Sequence, residues 1–156
     1  MEIHEKFYIG TTRFNNKTFQ ENIEWRKKHN WRGCMYGTNK RIAKTIPNKA
    51  LIFVIEMNND TNSIEGIGLI RNFINPDYKS CIYKSDRNYN RYIYNSAYRK
   101  NITEINSKKV IEMLELILFY GYGHFKRGIG ITTINWNRFD ELATKVLIRF
   151  FSELFN

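Results

Sequence analysis

The feature that most constrains the fold is ALIFVIEM, residues 50–57, in which almost every side chain is apolar. A continuous apolar run of this length is typical of a strand that is buried on both faces. The polar turn NNDTN follows, and SIEGIGLIRN then predicts an antiparallel partner strand. Gly66 and Gly68 within this partner indicate a bulge or a close approach of another segment. A strand of this kind must be covered on both sides, and the rest of the chain has to supply those layers.

The remaining periodicity predicts strands interleaved with a few helices. Thr18 and Glu21 have the spacing of a capping box at a helix start. Further strands are predicted over 6–12, 81–84, 91–95 and 130–134, helices over about 19–29, 108–120 and 138–154, and one or two helical turns over 38–47. With hairpin-like connections, this order predicts one α+β domain over residues 1–156, in which helices flank a small curved mixed sheet or open β-barrel.

The apolar spacing within each predicted helix also predicts which face is buried. Trp25 falls outside the apolar face of the first helix and has no predicted role. The predicted buried residues are Phe19 and Ile23 in the first helix, Val110, Met113, Leu114 and Ile117 in the second, and Phe139, Leu142, Val146, Phe150 and Leu154 in the third.

The charge indicates the class of partner. Twenty-five Lys and Arg residues against fifteen Asp and Glu residues give a formal net charge of +10. An excess of this size favours a polyanionic partner, most often nucleic acid and less often an anionic membrane. A basic domain that is merely well solvated is the alternative.

Catalytic, metal and cofactor motifs are missing from the sequence. The three histidines are scattered, the two cysteines form neither a disulfide framework nor a zinc cluster, and Asp86, Asp140 and Glu141 fit salt bridges or helix starts. We therefore predict no catalytic residues, no metal and no cofactor. The N-terminus does not resemble a signal peptide and no apolar run is long enough for a membrane, so we expect an intracellular protein. The abundance of Asn, Lys, Ile and Tyr fits an AT-rich genome, and a viral origin is one hypothesis.

Aromatic and cationic residues interleave in two segments, WRKKHNWRGCMYGTNKR (25–41) and YKSDRNYNRYIYNSAYRK (83–100). Phosphates bind Arg and Lys, whereas an unstacked base needs an aromatic face and hydrogen bonds to its edge. The two segments therefore favour binding of single-stranded nucleic acid. The alternative is that the tyrosines pack a sheet and the charges only solvate it.

A series of motifs resembles a YTH domain, the PUA-like reader of N6-methyladenosine in RNA. KFYIGTT, FQENIEWRKKHNW, GTNKRI, ALIFVIEMNND and IEGIGLI follow in the order of that family over residues 6–70. Tyr83 and Tyr89 stand where the family has two cage tryptophans. GIGITTINWNRFDEL loosely resembles a later family segment, with Arg138 and Asp140 at matching positions, and the helix at about 107–123 looks like an insertion.

The resemblance implies a site in which one base lies in an aromatic cage with a basic rim. Trp31 would form one wall, with an ordinary core anchor as its alternative role, and Asn39 would read the base edge. The implied base-binding residues are Trp31, Cys34, Asn39, Tyr83 and Tyr89, and the implied phosphate-binding residues are Lys40, Arg41, Lys126, Arg127 and Arg138. Stacking contributes about 1–3 kcal/mol and burial of one methyl group about 1 kcal/mol, so preference for the methylated base should be modest.

We accordingly predict a monomeric, non-catalytic module that binds single-stranded RNA, with N6-methyladenosine as the preferred base and DNA as an alternative strand. One alternative is a PUA-like domain with nuclease or other catalytic activity that uses Glu56 and Asp86. Another is a viral or accessory protein-interaction domain whose apolar last helix, 138–154, docks a partner.

Overall fold

A computed structural model describes residues 3–156, and Met1 and Glu2 of the predicted domain lie outside these residues. The elements are β1 (Phe7–Phe14), α1 (Asn16–Lys28), β2 (Cys34–Thr38), β3 (Leu51–Asn58), β4 (Ser63–Arg71), β5 (Tyr92–Ser96), β6 (Tyr98–Asn101), α2 (Lys108–Phe119), β7 (Thr132–Ile134) and α3 (Glu141–Glu153). Short 3-10 helices cover Arg87–Asn90, Ile102–Glu104 and Trp136–Arg138. The predicted α+β class is confirmed.

The main sheet is mixed and has the strand order β6-β4-β3-β1-β7. β1 runs parallel to β3, whereas the other neighbouring pairs are antiparallel. β2 and β5 form a separate two-stranded sheet. Within the described residues the main sheet does not close into a barrel, since its order ends at two different edge strands.

Every residue of β3 is buried, which confirms the prediction from the apolar run. Because successive strand residues point to opposite faces, β3 contributes to two cores. Phe53 and Ile55 pack into a core with side chains of α2 and α3. Ile52 and Val54 pack into a second core with side chains of α1 and of the β2–β5 sheet. The two layers that the sequence required are thus helices on one face and a helix with a small sheet on the other.

Both glycines of β4 lie against other segments, as predicted. The β3–β4 register shifts between Glu56 and Met57, and Gly66 pairs with Glu56. A Cβ atom added at Gly66 would lie 2.7 Å from Arg99 Nη2, and one at Gly68 would lie 2.4 Å from the Tyr36 hydroxyl. The missing side chains therefore make room for a cluster of buried polar groups.

Helix α1 begins earlier than predicted. Asn15 is the N-cap: its Oδ1 accepts from the Thr18 backbone N–H at 2.7 Å, and Thr18 Oγ1 accepts from the Asn15 N–H at 3.0 Å. Asn22 and Trp25 are the buried residues of this helix, whereas Phe19 and Ile23 are only half-buried. The predicted face is wrong because α1 packs through a polar amide and an indole rather than through an aliphatic stripe.

Several local predictions are wrong where side chains, not periodicity, set the backbone. Residues 38–47 form no helix, since Thr38 ends β2 and turns follow it, and 81–84 form no strand. Asn90 Oδ1 accepts from the backbone N–H groups of Ile82 and Tyr83, both at 2.9 Å, and thereby replaces a strand partner. Strands β2 and β6 were not predicted from the sequence.

The buried faces of α2 and α3 also differ from the prediction. α2 buries Ile111, Leu114, Leu118 and Phe119. α3 buries Leu147 and Phe151, whereas Leu142 and Val146 are 71% and 42% exposed. In α2 the buried stripe lies beside the predicted one and shares only Leu114 with it, because most positions of this helix are apolar. At the two ends of α3, Phe139 and Leu154 are buried as predicted. Among residues 3–156, none of the helices combines the length and apolar character that crossing a bilayer requires.

Candidate nucleic-acid interface

A cavity of about 240 Å³ lies at the carboxyl ends of the parallel strands β1 and β3. This is the edge at which open sheets with parallel strands commonly bind ligands. Its size is below the roughly 300–1,000 Å³ of sites for drug-sized ligands, so it suits one base-sized group. We call it the tyrosine cavity; it is lined by residues 12–15, Thr18, Gly37, Thr38, Asn59, Tyr83, Tyr89 and residues 128–130.

Tyr83 and Tyr89 are the two tyrosine rings of this cavity, and Phe14 also lines it. Their centroids lie 6.4 Å apart with an interplanar angle of 79°. Tyr83 is buried, its hydroxyl accepts from Asn22 Nδ2 at 3.0 Å, and burial raises its pKa. Tyr89 is 37% exposed. Tyr83 is therefore a fixed wall, and Tyr89 offers the more open ring for stacking.

Gly37 brings the backbone of β2 against both rings. A Cβ atom at this position would lie 2.3 Å from the Tyr89 carbonyl oxygen and 3.1 Å from the Tyr83 ring. No larger residue fits there without displacing the backbone that carries Tyr89. The absence of a side chain at Gly37 thus defines one side of the cavity.

Arg13 places a positive charge at the cavity. Its Nη1 donates to Thr11 Oγ1 at 2.8 Å and to the Phe125 carbonyl at 3.1 Å, and its Nη2 donates to the Gly130 carbonyl and, at 3.3 Å, to Thr132 Oγ1. Within residues 3–156, no carboxylate forms an ion pair with it. Burial lowers the pKa of Arg13 to about 10, so the group is still protonated at neutral pH. The fold therefore holds an uncompensated cation in place.

Two lining residues carry buried polar atoms without a partner. Arg13 Nε, a donor, and Asn59 Oδ1, an acceptor, have no hydrogen bond to any described residue. The amide nitrogen of Asn59 donates to the Lys126 carbonyl at 2.9 Å, which fixes this side chain. Unsatisfied buried polar atoms are uncommon and need an explanation. Both atoms are buried behind the cavity wall, so they mark a polar side of the cavity and not two open hydrogen-bonding positions.

The predicted phosphate-binding residues differ in their surroundings. Lys40 is exposed and its backbone lies against Gly130, and Arg127 is exposed beside Gly128, so both are near the cavity lining. The other three are held: Lys126 Nζ donates to Asn62 Oδ1 at 2.7 Å, Arg138 Nη2 donates to the Gly123 carbonyl at 2.8 Å, and the Arg41 guanidinium lies 5.0 Å from the centre of the Tyr92 ring.

Trp31 lies in a different place from the two tyrosines. It lines an open groove of about 330 Å³ with Arg26, Lys27 and Arg32, which we call the tryptophan groove. Its Nε1 donates to the Cys34 carbonyl at 3.0 Å. A single cage formed by Trp31, Tyr83 and Tyr89 is therefore wrong. Trp31 precedes the first residue of β2, whereas Thr38, the last residue of β2, lines the tyrosine cavity. The two ends of an extended strand of this length lie roughly 13 Å apart.

Two further predicted base contacts do not line the tyrosine cavity. Cys34 is fully buried, with Sγ 3.3 Å from Ser96 Oγ, and burial raises its pKa to about 11. The prediction that Cys34 contacts a base is therefore wrong, because no surface of the thiol is open to a ligand. Asn39 is half-buried next to Thr38, and its Oδ1 also lacks a partner among the described residues.

A closed cluster of polar groups lies between β2, β3 and β6. The Glu56 carboxylate accepts from Arg99 Nε at 2.9 Å, from Arg99 Nη2 at 2.7 Å and from the Tyr36 hydroxyl at 2.7 Å. Burial opposes the charge on Arg99, but the Glu56 carboxylate outweighs it and raises the pKa of Arg99. We define the closed cluster as Cys34, Tyr36, Glu56 and Arg99.

The hydrogen bonds of Glu56 and Asp86 are relevant to the alternative prediction that these carboxylates are catalytic. Glu56 is only 2% exposed and its oxygens are occupied, while Asp86 Oδ1 caps a 3-10 helix by accepting from the Asn88 N–H at 3.0 Å. Across residues 3–156, no three His, Cys, Asp or Glu side chains are grouped so that they could hold a metal ion. Glu56 and Asp86 thus have structural partners in this arrangement.

Sequence reasoning missed Arg13 and Asn59. Arg13 follows directly after the predicted strand 6–12, and Asn59 comes two residues after the predicted strand 50–57. Had those strands been predicted to be parallel neighbours, their carboxyl ends would have been expected to meet at one edge of the sheet, and both residues would have been candidates.

No protein-family model, no curated protein and no solved structure matches the chain. The resemblance to YTH domains therefore stays a hypothesis that depends on the motif series alone.

Proposed function

We propose that this protein is a non-catalytic module that binds single-stranded RNA and takes one nucleobase into the tyrosine cavity. Tyr89 stacks on the base and Tyr83 bounds its edge. Arg13 supplies a positive charge and Asn59 a polar amide at the wall of the cavity. Lys40 and Arg127 meet the neighbouring phosphates, which supply much of the affinity.

One observation carries this proposal: a protonated arginine without a carboxylate partner lies in a base-sized cavity beside two aromatic rings. An ordinary structural arginine would be expected to be neutralised, as Arg99 is by Glu56. The net charge of +10 supports the same class of ligand.

The finer proposal is a divergent YTH-like reader of N6-methyladenosine on a PUA-like open barrel. The motif series over residues 6–70 supports it, and the parallel pairing of β1 with β3 gives the cavity its place. With tyrosines at both matching positions and Trp31 elsewhere, the methyl group has only part of an aromatic cage. Burial of one methyl group contributes about 0.8 kcal/mol, so we expect no more than about a fourfold preference for the methylated base.

The test is a fluorescence-anisotropy titration of a single-stranded RNA with the natural protein, Tyr89→Ala and Tyr78→Ala. Tyr78 is 38% exposed and lies outside the cavity, so it is matched to Tyr89 in exposure. Loss of a stacking ring should weaken binding about 5- to 150-fold for Tyr89→Ala only. Equal affinities for all three proteins would contradict the proposal.

Two further titrations test the preference for the methylated base and the preference for RNA over DNA. Matched RNAs with and without N6-methyladenosine, titrated at two salt concentrations, measure the methyl preference against the phosphate contribution. Equal affinities would remove the reader and retain the nucleic-acid module. A DNA strand of the same sequence tests which sugar is preferred.

A second candidate function, docking of a protein partner, is favoured by the exposed Leu142 and Val146, which lie one turn apart on α3. Light scattering over a range of protein concentrations tests self-association through this face. A dimer that Leu142→Asp dissociates would favour docking, and a concentration-independent monomer would leave nucleic-acid binding as the function.

A further inference from the structure

The tryptophan groove is the second place where an aromatic ring and cations meet. Trp31 is half-buried, and Arg26, Lys27 and Arg32 surround it. The remaining lining residues, Ile23, Asn30 and Asn101, carry no charge, so among residues 3–156 no acidic side chain lines this groove. The groove thus has the composition of a nucleotide site, without the two tyrosine rings that the sequence had predicted beside Trp31.

Arg26 adds a charge beneath the groove. Its Nε donates to Asn22 Oδ1 at 2.8 Å, and no ion pair of Arg26 with a carboxylate is present in residues 3–156. Burial and the nearby charge of Arg99 lower the pKa of Arg26, and the Glu56 carboxylate, which acts in the opposite direction, is already bonded to Arg99. One positive charge in this region is therefore left without a counter-ion.

Asn22 connects this groove to the tyrosine cavity. This buried amide donates to the Tyr83 hydroxyl at 3.0 Å and to the Met35 carbonyl at 2.6 Å, and it accepts from Arg26. The two binding features therefore share one fixed side chain of α1. Thr18 lines the cavity and Arg26 lines the groove; eight residues of helix separate them by about 12 Å.

We infer that the tryptophan groove is a second subsite for the same single strand, in which Trp31 stacks on a base and Arg26, Lys27 and Arg32 bind the adjoining phosphates. This inference rests on the proposed function, since the first subsite is the tyrosine cavity. At about 3.4 Å per stacked nucleotide, a separation of about 12 Å takes between three and four steps, so a stacked strand needs about four to five nucleotides to reach both subsites. A dinucleotide fills only one of them.

The experiment compares a dinucleotide with an octanucleotide of the same composition. Tyr89→Ala is expected to weaken both ligands. Arg32→Ala is expected to weaken only the octanucleotide and to lower the slope of its log affinity against log salt by about 0.7. Lys28→Ala is the matched control, because Lys28 is an exposed cation in the last turn of α1 and outside the groove.

Trp31→Phe gives a second readout that does not depend on affinity. Octanucleotide binding should quench the tryptophan fluorescence of the natural protein. The substitution should remove most of this quenching, since Trp25 is only 7% exposed and Trp136 packs against the core of α2 and α3, outside both subsites. An octanucleotide that binds Arg32→Ala and Lys28→Ala equally, or quenches Trp31→Phe as strongly as the natural protein, overturns the second subsite. If neither ligand binds the natural protein, the proposed function itself fails.

Discussion

Two buried arginines of this protein have opposite surroundings. Arg99 lies in the closed cluster with a bidentate bond to Glu56, and both side chains are at most 5% exposed. Arg13 lies at the tyrosine cavity, where carbonyl and hydroxyl oxygens hold it without a carboxylate. A paired charge stabilises a fold only while both partners remain, whereas a charge that the fold leaves unpaired is free to bind an anion or a base edge. The first arginine is structural, and the second is our candidate for function.

Glu56→Gln should produce the largest change, because it leaves Arg99 buried without its counter-charge. We expect a loss of roughly 3–5 kcal/mol in the free energy of unfolding, measured by urea denaturation. Glu141→Gln is the control: it removes an exposed partner of Lys145, and the expected loss is below about 1 kcal/mol. Equal losses for the two variants would contradict the assignment of the closed cluster as structural.

Arg13→Met tests the arginine that has no carboxylate partner. It keeps side-chain length but removes the charge, so we expect binding of single-stranded RNA to weaken by roughly 1.5–3 kcal/mol, which is about 10- to 150-fold. Arg71→Met is the control, since Arg71 is an exposed arginine paired with Glu5 outside the cavity. A folded Arg13→Met protein with unchanged affinity would break the distinction between the two arginines.

Gly68→Ala tests whether the closed cluster is as tightly packed as the distances indicate. The new methyl group would meet the Tyr36 hydroxyl and Cys34 at 2.4 and 2.8 Å, and overpacking of this kind costs about 1–3 kcal/mol of stability. Gly123→Ala is the matched change, because it meets only the end of the Arg138 side chain. Thermal unfolding measures both, and a tolerant Gly68 would mean that the cluster is loose.

The smallest effect is expected from the pH dependence of Cys34. Burial raises its pKa to about 11 from an ordinary value of 9.0, so the neutral thiol is favoured in the folded protein. Its contribution to stability should be complete below pH 9 and lost as the pH rises from 9 to 11. At pH 8, a thiol reagent should label exposed Cys81 rapidly and Cys34 only on unfolding, with Cys81→Ser as the control. Equally fast labelling of both cysteines would show that the cluster opens.

The sequence predicts the parts of this fold in which periodicity decides the structure. The continuous apolar run predicts β3, because every residue of this strand is buried and none needs to be polar. The polar turn that follows it predicts the antiparallel strand β4. β2 and the segment before it were not predictable in this way. Their backbone is fixed by contacts from distant residues, such as those of Tyr36 with Glu56 and of Asn22 with Met35.

The candidate site was predictable only in part for the same reason. Tyr83 and Tyr89 come from one short segment, and both line one cavity, as the resemblance to YTH domains implied. Trp31 is separated from these tyrosines by β2, a strand that was not predicted. Arg13 could be recognised as a candidate only once the parallel pairing of β1 with β3 was known. Side chains that a tertiary pairing brings together leave no periodic signal in the chain.

The most direct test of the central claim is NMR mapping of backbone amides in uniformly ¹⁵N-labelled protein titrated with a short single-stranded RNA. We expect the largest chemical-shift changes at Gly37, Thr38, Asn59 and Gly130 around the tyrosine cavity. The amide shifts of Glu56 and Arg99 in the closed cluster should change little. Shifts that are absent from the cavity, or that centre on the closed cluster, would contradict it.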